Sequence, residues 1–149
     1  MTLAIANVCN EIAAISVTGV DIRDIDEIKE ELGGRDTPCL MPKPDGFITD
    51  FNVERDSFGA AATAKKTVTY TLNYTYLHAP LASGRGLFDV YDQMVTKSFA
   101  ILDAIIAKDS TIAAELVPAD ALAYGPVVDP SGEAYHGCII SVQVTEFVN

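Results

Sequence analysis

The residues able to do chemistry are few and scattered. The two histidines, His78 and His136, have no carboxylate or cysteine at metal-ligand spacing, and no HExxH occurs. The sequence therefore predicts no metal site, and two structural imidazoles. No GxSxG offers a nucleophile on a sharp strand-to-helix turn. Gly84-Arg85-Gly86-Leu87-Phe88-Asp89 approaches the phosphate-cradling GxGxxG pattern, but Asp89 replaces the third glycine. That acid would occupy the helix terminus an anion needs. The plainer reading is a glycine-hinged loop feeding a helix; a small ligand-binding module using this loop is the alternative. DIRDIDEIKEE is acid-rich yet lacks the glycine and oxygen spacing of a calcium loop, so it reads as a solvated helix face.

Cys9, Cys39 and Cys138 are far apart, odd in number and form no CxxC. They read as reduced, buried thiols, which suits synthesis in a cytoplasm. The only paired bases outside the acidic background are Lys65 and Lys66, and the formal net charge is −11. Such a chain does not grip phosphates through a general basic field. It suits solubility, and equally a surface past which DNA slides without sticking. The expectation is a non-enzyme without cofactor or metal.

The elements around these residues are more informative. The chain has 149 residues, 49% hydrophobic and 21% charged, enough for one domain spanning 1–149. No apolar run reaches membrane-helix length, and MTLAIANVCNEIAAI lacks the basic start of a signal peptide. Ile5, Val8, Ile12 and Ile15 predict a helix over 2–16 with Thr2 as N-cap. DIDEIKEEL predicts a short helix over 24–32, ended by Gly33-Gly34.

In TPCLMPKPDGFITDFNVE, Pro38, Pro42 and Pro44 share one parity, so their missing donors lie along one side. That predicts an edge strand blocked on its outer side. Asp45-Gly46 is a hairpin-turn signal leading into a strand over 47–54. Residues 55–64 would be the tip of a long hairpin arm, whose second strand is TVTYTLNYTYL. There Val68, Tyr70, Leu72, Tyr74 and Tyr76 alternate with Thr67, Thr69, Thr71, Asn73 and Thr75. One face is apolar and the other is a comb of small hydroxyls. Uncharged threonines suit close approach by a neighbouring sheet or subunit; a wet face chosen for β propensity is the other reading.

Phe88, Tyr91, Val95, Phe99, Leu102 and Ile106 predict a long helix whose stripe covers the apolar sheet face, widened by Met94, Ile101 and Ile105. A helical turn near IAAELV and a turn at Asp129-Pro130-Ser131-Gly132 precede a last strand over about 134–148. In that strand Cys138, Ile140, Val142, Val144 and Val148 oppose Ser141, Gln143 and Thr145. The order predicts an α+β fold: an antiparallel sheet with a long hairpin arm, one face covered by the long helix and the N-terminal helix.

Taken together, the N-terminal helix, PCLMPKPDGFI, the long hairpin, YTLNYTYLHAP, GRGLFDVYDQMVTKSFAILDAI and YHGCIISVQVTEFV resemble the lambda-like tail terminator (tail completion) proteins of long-tailed bacteriophages. The resemblance spans nearly the whole chain. It implies a virion structural protein of the tail or neck, assembled in the host cytoplasm. Such proteins form a homo-oligomeric, hexameric ring on the last ring of tail tube protein, with sheath if the tail is contractile. They end elongation and join a head-completion or connector protein, while genomic DNA passes through without specific binding; no membrane is involved. Carried onto this chain, Arg55, Asp56, Phe58 and Gly59 at the arm tip, and Arg85 in the 78–87 loop, are the candidate subunit or tube contacts. Another neck or tail-tube component is the alternative within the same class.

Overall fold

A computed structural model describes residues 4–28, 36–55, 66–81, 86–108, 114–118 and 122–148. In chain order the elements are helix α1 (Ile5–Ala13), strand β1 (Asp21–Ile22), a 3-10 turn (Ile25–Glu27), β2 (Cys39–Pro42), β3 (Ile48–Arg55), β4 (Lys66–Pro80), helix α2 (Leu87–Ala107), β5 (Glu115–Pro118), β6 (Gly125–Val128) and β7 (Ala134–Val148). The fold is α+β, as the element order predicts: one mostly antiparallel seven-stranded sheet with two helices packed on it.

Two fifteen-residue strands, β4 and β7, form the centre and pair from Lys66↔Val148 to Pro80↔Tyr135. Each outer side is shared by two short strands: β2 and β3 lie end to end along β4, β5 and β6 along β7. The alternation in β4 is realised directly. Val68, Tyr70, Leu72, Tyr74 and Tyr76 are buried with Cys138, Ile140, Val142 and Val144 of β7, beneath Val8 and Ile12 of α1 and Met94, Ile101 and Ile105 of α2.

The helix face is where the sequence reading fails. Residues Val90, Met94, Ser98, Ile101 and Ile105 point into the core, whereas Phe88, Tyr91, Phe99 and Ile106 are exposed. Apolar residues cover more than half of the helix circumference, so periodicity supports either face. The buried face contains Ser98, whose hydroxyl donates to Val95 O (2.9 Å) and shares a 2.6 Å hydrogen bond with the Tyr124 hydroxyl. With that hydroxyl satisfied, its burial costs little, and the branched aliphatics fill the space above the tyrosines.

Five other expectations are corrected. The 24–32 helix is a single 3-10 turn with a capping box between Asp24 and Glu27, and Ile28 is already extended; residues 29–35 lie outside the described residues. The N-cap of α1 is Ala4, without a side-chain cap; Thr2 lies outside the described residues. Segment 115–118 is strand β5 rather than a helical turn, because Leu116 and Val117 alternate between the core and the outside.

The proline strand is not outermost either. β1 runs parallel to it, using carbonyls rather than the missing donors: Asp21 N–H bonds Pro38 O (3.0 Å) and Arg23 N–H bonds Leu40 O (2.9 Å). Asp45-Gly46 does not reverse the chain. β2 and β3 run in the same direction along β4, and residues 43–47 loop out between them, with Gly46 at φ +73°.

The opposite sheet face carries no helix among the described residues. It is polar over most of its length but closes at one end into a second small core of Cys39, Met41, Leu77 and Tyr135, flanked by Ile28 and Val127. There β4 and β7 approach so closely that a Cβ on Gly137 would lie 1.9 Å from Tyr76 O. No helix among the described residues is long and apolar enough to cross a membrane.

Candidate interaction surfaces

The threonine comb pairs in register with β7: Thr67 with Phe147, Thr69 with Thr145, Thr71 with Gln143, Asn73 with Ser141, Thr75 with Ile139. Across both central strands this face bears no charge. Asn73 is the one non-threonine in the comb, and its place follows from the loop at 43–47. Its Nδ2 donates to Thr49 Oγ1 (2.9 Å) and Gly46 O (3.1 Å), its Oδ1 accepts from Ser141 Oγ (2.6 Å), and its backbone bonds Phe47 O and Lys43 N–H. A threonine lacks the reach and the second donor for this task.

At the apolar end of the comb lies a groove of about 630 Å³. Its floor is Thr75 and Ile139, one wall is Lys43–Asp45, and the other is the 126–130 segment. A second hollow of about 470 Å³ lies beyond Pro126 and Val127, reaching Tyr124 and Ser141. Of the two acids lining the groove, Asp45 and Asp129, the second is committed to structure. Asp129 is buried; its Oδ1 accepts from Ser131 N–H (2.9 Å), Ser131 Oγ (2.6 Å) and Glu133 N–H (3.0 Å), closing the β6–β7 turn as the sequence predicts. Its Oδ2 faces the Tyr135 hydroxyl at 3.4 Å. Burial, Asp129 and Glu133 push that phenol up to about 12.

The three thiols are muted. Burial pushes Cys9 and Cys39 up to about 11 and Cys138 up to about 12; Asp24 adds to the effect on Cys9, and Arg23 partly opposes it on Cys39. These thiols stay protonated at neutral pH and are poor nucleophiles. His78 Nδ1 is hydrogen-bonded to the Tyr76 hydroxyl at 2.7 Å. His136 is buried in β7. No group of three or more metal-ligating side chains occurs among the described residues.

Of the candidate contacts, Arg55 is the exposed last residue of β3, opposite Lys66. Asp56, Phe58, Gly59 and Arg85 lie outside the described residues. β3 and β4 do form an antiparallel hairpin leading to that tip. Two further apolar surfaces escaped the sequence reading. One is the outer stripe of α2, with Phe88 97% and Phe99 57% exposed. The other is Ile48, Phe51 and Val53 on β3, where Phe51 stacks on Tyr70 at 5.8 Å but remains 49% exposed. A doubled apolar stripe in α2 was the available signal for the first. No protein-family model matches this chain, and no curated protein matches it.

Proposed function

We propose that this chain is a virion structural protein of the tail terminator type, a subunit of a ring that caps the tail tube, ends its elongation and presents the head-joining surface. The observation that carries the reading is the uncharged face of β4 and β7 on a chain of net charge −11, left uncovered by both helices. A solvated strand face usually spreads charge; small hydroxyls and amides suit a surface that another subunit approaches. The acidic remainder suits a lumen through which DNA passes without binding. The β3–β4 hairpin leads to residues 56–65, the segment in which this reading places a contact arm. The muted thiols and the structural commitment of Asp129 favour assembly over catalysis.

Electron microscopy of isolated, unterminated tails incubated with the purified protein tests the reading. A ring at the tail end is expected. Bare tail ends, with a strict monomer by light scattering at every concentration, would contradict it. Labelling the protein in whole particles separates a terminator from another neck or tail-tube component.

A further inference from the structure

Resting on the ring reading, we infer that adjacent copies join head to tail, the outer stripe of α2 on one copy packing on the β3 apolar strip of the next. The two surfaces lie on the helix-covered face, towards opposite edges of the sheet. β3 borders β4 on one side, and among the described residues it pairs with β4 alone. α2 packs over β5, β7 and β4, and its flanks fix which way the stripe faces. On one flank Lys97 Nζ donates to Thr18 O (2.9 Å), and Lys108 reaches Glu11, so that side faces α1. On the other flank Tyr91 packs edge-on against Tyr124 just before β6. Phe88, Phe99 and Ile106 lie beyond Tyr91, away from α1.

Charge selects the partner surface. Exposed Asp92 and Asp103 stand four residues beyond Phe88 and Phe99, along the same stripe. The β3 strip ends at two bases, Arg55 and Lys66, which share the helix-side face with Val53; Glu54 lies on the threonine face, and the one acid beside the strip is Asp50, exposed next to Phe51 in the β3 bulge. Stripe on stripe would bring acids together, and strip on strip would bring bases together. Stripe on strip joins apolar to apolar and acid to base. Two unlike surfaces in one chain form a heterologous contact, which closes into a ring when the rotation permits. The aromatic anchors are of the kind that dominate interface energetics.

Complementation of two variants is the test. Phe99→Asp damages only the stripe and Phe51→Asp only the strip. Each alone is expected to run as a monomer where the wild type assembles. Mixed one to one, they retain one sound contact between them and should form a heterodimer of twice the monomer mass. Ile106→Asp and Val53→Asp are the second pair, used if circular dichroism finds either first variant unfolded. A wild-type ring whose assembly survives the variants, or variants that stay monomeric when mixed, overturns this contact and leaves the ring reading standing. A wild type that is monomeric at every concentration, and forms no ring on tails, overturns both.

Discussion

The Tyr70 hydroxyl donates a 2.6 Å hydrogen bond to Glu146 Oε2, a carboxylate on the apolar face of β7 that is 3% exposed. Its Oε1 accepts from the backbone N–H of Ala4, 2.5 Å away, at the start of α1. One buried acid thus joins the residue that opens the N-terminal helix to both central strands. Burial and the adjacent carboxylate push the Tyr70 phenol above its usual range, so it stays a donor.

Glu146→Ala leaves a buried phenol and a helix-terminal amide without their acceptor. The expected loss is about 2–3 kcal/mol, read from the urea midpoint. Glu146→Gln keeps one acceptor and should lose roughly half as much. An unchanged midpoint for the alanine variant would mean that water replaces the carboxylate without cost.

Gly137→Ala places a methyl against Tyr76 O and within 2.8 Å of Val127. Because the nearest atom is backbone, the strands themselves must separate. A loss of roughly 2–3 kcal/mol is expected, with the second small core loosened first. Hydrogen exchange at Leu77 and Tyr135 would report that loosening.

Asn73→Thr completes the hydroxyl comb and should still destabilise, by about 1–2 kcal/mol. It strips the 43–47 loop of its side-chain anchor. Greater proteolytic sensitivity near Asp45 is the specific signature; an unaltered cleavage pattern would show that the backbone bonds alone hold the loop.

The three thiols give the protein an alkaline limit. Each ionises near its ordinary 9.0 when unfolded but near 11 to 12 when folded. Between these values the unfolded chain has lost protons that the folded chain keeps, so stability falls as pH rises. The contribution is fully present below pH 9 and declines by about 1.4 kcal/mol per pH unit for each thiol above it. Melting temperature should therefore fall steeply from pH 9 to 11, and less steeply in a triple Cys→Ser variant measured against its own neutral value. At pH 8 a disulfide reagent should modify the native protein slowly and all three thiols after denaturation.

The central sheet was legible because strict alternation in β4 and β7 has only one physical reading, a strand with one buried face. Helix α2 was legible as a helix but not in orientation: Phe88, Tyr91, Phe99 and Ile106 match the helical period as well as Met94, Ile101 and Ile105 do. What decides between them is the shape of the tyrosine-rich floor and the partner that Tyr124 gives Ser98, both tertiary. Asp45-Gly46 misled because the same φ-positive glycine serves a reversal or an outward loop, and only the length of β4 shows that β2 and β3 share its side. Glu146 sits on an apolar face that alternation assigns to a hydrophobe, and its partners lie 142 and 76 residues away. Of the candidate contacts only Arg55 falls within the described residues, where it borders the apolar strip of β3.

On the proposed reading, the protein acts as a shaped, acidic building block that closes on copies of itself. Negative-stain images of the concentrated wild-type protein, alone and on unterminated tails, address it most directly. Closed rings with a central opening are the predicted result. Fields of isolated single copies under both conditions would contradict it.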